Sequence, residues 1–121
     1  MIAVEKYGEV RGFRLARTIL GRGLYYTAAY WVDGLMVDTG CHYTVKEMVS
    51  ALDDLHVDRI VNTHSHEDHI GANAAISGKF GAGIFAHPLA IPVLATPQNK
   101  KHLNPYQIVM WGYPAPSPAL P

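Results

Sequence analysis

With 121 residues, 49% of them hydrophobic, the chain has the length of one domain and enough apolar material to bury a core. Ten basic and ten acidic residues balance without a run of like charge, which argues against a nucleic-acid tract or an electrostatic membrane surface and leaves a small-molecule substrate open. Glu5 and Lys6 stand where a signal peptide would be apolar, and the single cysteine, Cys41, permits no internal disulfide, so a reducing cytoplasm is the expected location.

Along the chain, Phe13 and Leu15 alternate with Arg14 in a short strand pattern. Tyr25 to Val32 is rich in aromatic and β-favouring residues and predicts a second strand. Asp33-Gly34 supplies the positive φ angles of a tight turn, so this strand should pair antiparallel with Leu35, Met36 and Val37. Thr44 followed by Glu47 has the form of a capping box, and Val45, Met48, Val49, Leu52 and Leu55 then fall at helical spacing. Ile60-Val61, within Asp58 to Asn62, predicts a short buried strand. Gly71 to Phe80, with Ala72, Ala75, Ile76 and Phe80 on one side, predicts a second helix. Gly83 to Ala86 predicts another short strand, followed by a helical turn begun by Pro88.

All eight prolines lie at or after residue 88. Phe80 to Asn99 carries no formal charge, yet Pro88, Pro92 and Pro97 with Gly81 and Gly83 break it, so a soluble strand and helix are expected there rather than a membrane span. Residues 1–112 are expected to form one unit. Residues 113–121, in which proline alternates with other residues, are expected to be a linker or disordered tail.

The densest chemistry is "THSHEDHIGAN", residues 63–73, which places three histidines and two carboxylates in the six positions from His64 to His69. His64, His66 and Asp68, at alternate positions, project to one side of an extended or turning backbone, with His69 offset by one. On a helix they would splay, unlike the helical zinc motif with its histidines four apart. The cluster lies between a predicted strand and a predicted helix, at the carboxyl end of the strand, where open α/β sheets bind ligands. Imidazole and carboxylate suit zinc, and equally iron or manganese. Four ligands so close in sequence cannot easily all reach one tetrahedral ion. Division between two ions about 3.5 to 4 Å apart is the natural use, His64 and His66 on one, Asp68 and His69 on the other, with a water between them as nucleophile.

"HSHEDH" matches the H-x-H-x-D-H signature of the metallo-β-lactamase superfamily. The hairpin ending in "MVDTG", the helix after it, the "VDRIVNTHSHEDHIGAN" strand, loop and helix, and the later short strand agree with that resemblance over roughly residues 20–112. The resemblance implies an α+β architecture: half of an αββα sandwich, a mixed β-sheet with flanking helices. It also implies a metal-dependent hydrolase of esters, thioesters, lactones, amides or phosphodiesters that uses a metal-bound hydroxide. His64 and His66 then resemble ligands of a first ion, Asp68 and His69 ligands of a second. Asp68 resembles the residue that orients the attacking water and is the candidate catalytic group. Asp38, in "VDTG", resembles a partner that holds a ligand histidine in its tautomer; a carboxylate capping the turn at Gly40 is the alternative.

Such proteins complete the site with a later histidine, a bridging carboxylate and a final histidine. After Asp68 this chain has no aspartate or glutamate, and after His69 only His87 and His102. It therefore reads as the amino-terminal half of a longer hydrolase, or as a short chain completed by a partner. A lone half would expose an apolar sheet face, so a homo-oligomer is expected unless a carboxy-terminal half covers it. The other function class is a non-catalytic metal-binding or assembly module, with ions held across a dimer. His87 is either a substitute ligand or a locally bonded strand-end histidine. His42, His56 and His102 are expected in solvated settings. "GAGIFA", residues 81–86, fits a dinucleotide fingerprint only with helix and strand reversed, and Cys41 is expected to be buried rather than nucleophilic.

Overall fold

A tight turn at Asp33-Gly34, with φ of 44° and 89°, joins two strands at the centre of the molecule as the sequence predicts. The computed structural model describes residues 1–100 and 102–121, with backbone only at Asn99 and Lys100. Its sheet is mixed and has six strands in sequence order: β1 (Ile2–Tyr7), β2 (Val10–Ile19), β3 (Arg22–Val32), β4 (Leu35–Val37), β5 (Arg59–Val61) and β6 (Gly83–Phe85). The first four pair antiparallel; β4, β5 and β6 run parallel to one another. The parallel steps require crossovers. These are helix α1 (Val45–Ala51), entered through a 3-10 turn at His42–Thr44, and helix α2 (Asn73–Phe80).

Strand alternation sends one set of side chains to the helices. Phe13, Leu15, Ala29, Met36, Ile60 and Ile84 meet Met48 and Leu52 of the α1 region and Ile76 of α2 in one buried cluster. Burying each of the larger of these contributes roughly 1.5–3 kcal/mol, so this layer holds the sheet to the helices. The opposite face carries the cross-strand row Tyr30, Val37, Val61 and Phe85, of which Tyr30 is exposed and the others half-buried. One sheet with helices on one side is the α+β half-sandwich expected.

Three local expectations are corrected. Helix α1 forms, but Thr44 makes no side-chain cap; Glu47 instead pairs with the amino-terminal ammonium at 2.7 Å, a charged partner that outcompetes a neutral backbone N–H. Strand β1 is not among the predicted elements, and β2 and β3 are longer than the sequence patterns suggest. The Pro-rich residues 113–121 lie along β6: Leu120 exchanges hydrogen bonds with Ala86 and Ile84 at 2.9 and 2.8 Å, Ser117 N donates to the Leu94 carbonyl at 2.8 Å, and the Ser117 side chain is buried. Residues spaced between prolines keep their own N–H groups, which is what allows the segment to pair at an edge.

Short helices α3 (Ile91–Ala95), α4 (Pro97–Lys100) and α5 (Pro105–Met110) follow β6. Among the described residues no helix is long and apolar enough to cross a membrane.

Candidate metal centre

The two parallel strands β4 and β5 end side by side, and the chain leaving each carries the candidate groups. Asp38 follows β4 directly, its N–H bonded to the Val61 carbonyl at 3.0 Å. It adopts a left-handed backbone, φ 59°, which aspartate tolerates better than most residues. Asn62 extends β5 by bonding the Phe85 carbonyl at 3.0 Å, and Thr63 and His64 come next.

Asp38 is 5% exposed, and donors surround its carboxylate. Thr63 N donates to Oδ1 at 2.8 Å, the Thr63 hydroxyl to Oδ2 at 2.7 Å, and His69 Nδ1 lies 3.1 Å from Oδ2. Having given its only proton to Asp38, the Thr63 hydroxyl can only accept from His64 Nδ1, 2.7 Å away. The network therefore assigns His64 the tautomer with its proton on Nδ1 and likewise places a proton on His69 Nδ1, so that Nε2 of each is turned to the cluster. One buried carboxylate orients two imidazoles, the arrangement by which ligand histidines are held for a metal.

His69 Nε2 lies 3.3 Å from Asp68 Oδ2, and the His64 ring centre lies 4.5 Å from that of His66 and 4.2 Å from that of His69. Ligand atoms of His64, His66 and Asp68 fall within 4.8 Å of one another, as do those of Asp38, His64 and His69. Because Asp38 already takes three hydrogen bonds, the first group offers the freer ligand atoms, with His69 beside it. His66 is exposed, Asp38 is buried, and His64, Asp68 and His69 are half-buried.

The hydrogen bond to Asp38, then that to Asp68, raises the His69 imidazole to about 9 against some desolvation. Burial by itself pushes Asp38 up, but bonds from His69 and Thr63 outweigh it and hold the carboxyl below its usual range. Asp68 behaves alike: burial raises it, and His69 more than compensates. Burial, then the neighbouring His69 and His66, lowers His64. An ionised Asp68 and a neutral His64 are the forms that bind a divalent ion, so the donor set fits one.

The surrounding shell is polar and satisfied. Asn73, fully buried, and Asn62 exchange amide hydrogen bonds at 2.6 and 3.2 Å, while the Thr39 hydroxyl donates to Asn73 Oδ1 at 2.9 Å and accepts from Ala72 N at 3.1 Å. Gly71 passes the backbone of Cys41 and His42 so closely that an added Cβ would sit 2.2 Å from the Cys41 carbonyl carbon.

The remaining histidines stay apart from this cluster. His87 Nδ1 accepts from Leu89 N at 3.1 Å, the local strand-end bond. His56 stacks edge-on against Trp31 between Asp33 and Asp58, and His102 is exposed. Cys41 is buried, its sulfur 3.7 Å from the Thr44 hydroxyl. Sequence reasoning missed Thr63, Thr39 and the Asn62–Asn73 pair. The signal was present, since polar residues flank both ends of the motif where the strand should be buried.

Residues 22–118 match the family model described as the metallo-beta-lactamase superfamily. Among solved structures, the chain is similar to a metallo-beta-lactamase from Pontibacter korlensis, 21% identical over 87% of this chain and 51% of that one, with a TM-score of 0.63. It is similar to a HARLDQ-motif metallo-beta-lactamase mutant from Cronobacter sakazakii, 15% identical over 93% and 43% of the two chains, TM-score 0.68. A mutant flavo di-iron protein from Thermotoga maritima is 19% identical over 86% and 32%, TM-score 0.66. At these identities the likeness is one of fold, and the chain spans about a third to a half of those proteins. No curated protein matches the sequence.

Proposed function

The chain belongs to the metallo-β-lactamase superfamily, and on that premise we propose that it is the ligand-bearing part of a metal-dependent hydrolase of esters, thioesters, lactones, amides or phosphodiesters. His64 and His66 would hold one ion, Asp68 and His69 a second, zinc first among the candidates and iron or manganese next. Ions bound there would lower the pKa of water and polarise the carbonyl or phosphoryl oxygen of the substrate. The observation that carries this reading is the Asp38 carboxylate, which orients His69 directly and His64 through Thr63.

The chain's own residues have separable tasks. Asp38 and Thr63 hold the two imidazoles with Nε2 forward. Asp68 keeps an ionised carboxylate at the cluster, where it orients the attacking water and handles its proton. The Asn62–Asn73 pair and Thr39 keep the ends of β4, β5 and α2 in register beneath it.

No carboxylate follows Asp68 in this sequence, so a bridging acid must come from outside residues 69–121. With no bridging acid in residues 69–121, a second reading is a metal-binding module that holds ions across a dimer and turns over no substrate. The purified chain, screened against ester, thioester, lactone and phosphodiester substrates, separates the two. Hydrolysis that a chelator abolishes and zinc restores supports the enzyme; metal uptake without turnover supports the module.

A further inference from the structure

Glu67 has no place in the candidate ligand set, yet at 3% exposure it is buried. His69 N donates to the His66 carbonyl at 3.0 Å, so residues 66–69 close a turn with Glu67 and Asp68 at its corners. Asp68 faces His69; Glu67 reaches α5 and accepts from Gln107 Nε2 at 2.8 Å. On its other flank the turn is held by Thr39 N, which donates to the His69 carbonyl at 2.8 Å.

Both ends of the Gln107 amide are committed. Its Oε1 accepts from Asn104 N at 2.7 Å in the cap of α5, which leaves Nε2 as the donor to Glu67. The carboxyl end of α5 is fixed as well. The Tyr43 hydroxyl donates to the Ile108 carbonyl and Arg17 Nη1 to the Val109 carbonyl, both at 2.6 Å, with the Arg17 guanidinium 4.0 Å over the Tyr43 ring. Helix α5 is thus a brace between the β2–β3 hairpin and the turn that bears the candidate ligands.

We propose that Gln107 is a positioning residue: by holding Glu67 it fixes the turn that presents His66, Asp68 and His69, and so couples α5 to metal binding. This rests on the reading of that turn as a metal site. A buried carboxylate and its amide donor, joining segments forty residues apart, confine a loop that its exposed His66 would otherwise leave loose. Groups bonded directly to metal ligands typically change metal affinity by about 10- to 100-fold when removed, and Gln107, one contact further out, is placed at the lower end of that range.

The discriminating substitution is Q107E. It keeps an acceptor for Asn104 N but sets a second carboxylate against Glu67. E67Q keeps an acceptor for the native Gln107 amide, and the double variant E67Q/Q107E restores a donor and an acceptor in exchanged order. Amide hydrogen exchange of residues 66–69 and 106–110 in the metal-free chain, and cobalt(II) affinity by visible absorption, are read for all three. We expect Q107E to exchange faster in both segments and to bind cobalt about tenfold more weakly, and the double variant to recover both. Parent-like exchange and affinity in Q107E, or no recovery in the double variant, overturns the proposal. If Q107E alone does not fold, folding of the double variant supports the pairing and its failure overturns it. A parent chain that binds no cobalt sinks the metal reading, while the exchange data still judge the brace.

Discussion

His69 Nδ1 lies 3.1 Å from Asp38 Oδ2, and the two residues come from loops that follow neighbouring parallel strands, thirty-one positions apart. Because the same carboxylate oxygen also takes the Thr63 hydroxyl proton, Asp38 sets the tautomer of His64 as well. The substitution that isolates this role is D38N. Asparagine tolerates the left-handed backbone at this position, so the fold should persist, but its amide cannot accept all three native hydrogen bonds. Zinc affinity, measured by competition with a chromophoric chelator, should fall about 10- to 100-fold. Unchanged affinity would show that Asp38 only closes its turn.

The metal-free chain should lose stability as pH rises from about 6.5 to about 9. His69 is raised in the folded state from 6.5 to about 9, so its contribution is complete below 6.5 and lost as pH passes through the folded value. Asp38 and Asp68, both lowered, contribute above their unfolded value of 3.8 and lose that contribution as pH falls through their folded values. Thermal melts of the parent and of H69Q across this range are the check: the parent should show the alkaline decline and H69Q should not. Over the same interval zinc affinity should rise with pH, because the ion must displace the His69 proton.

Two glycines should respond oppositely to alanine. At Gly71 the new Cβ would lie 2.2 Å from the Cys41 carbonyl carbon and 2.4 Å from His42 N, backbone that cannot step aside. G71A should cost about 1–3 kcal/mol or more. Gly78 lies in α2 with nothing within 4 Å, so G78A should stabilise by roughly 0.5–1 kcal/mol through helix propensity. Denaturant midpoints of the two variants decide the matter, and a tolerated G71A would contradict the close approach of the two loops.

Removing the Asn73 amide should be felt by two partners at once. N73A leaves the buried Asn62 amide without its partner and takes one acceptor from the Thr39 hydroxyl, a loss of about 1–3 kcal/mol that improved helix propensity offsets only in part. Urea unfolding of N73A with a midpoint equal to the parent's would rule out a structural role for this network.

The parts legible in the sequence are those whose causes are local. Asp33-Gly34 carries its own turn chemistry, and six contiguous residues carry the ligand pattern, so both could be read from a short window. Helix α5 had a local signal too: Asn104-Pro105 followed by Gln107 is a cap, a first-turn proline and a capping-box partner. Strand β1 was hidden because it is an edge strand that buries no side chain fully: Val4 is exposed and Glu5 half-buried, so no apolar alternation marks it. The Thr44–Glu47 box failed because the ammonium of Met1, brought close by β1, claims Glu47. Burial of Glu67 was illegible from "HSHEDH", since it depends on Gln107, and docking of residues 113–121 depends on the free edge of β6.

The most direct measurement is the zinc content of the purified chain by elemental analysis after dialysis, for the parent and for the paired variant H66A/D68N. His66 is exposed and Asp68 half-buried, so the variant should fold. If these residues hold the ion, the parent retains about one or two zinc ions per chain and the variant close to none. A parent that retains none, or a variant that retains as much as the parent, would contradict a metal centre at His64 to His69.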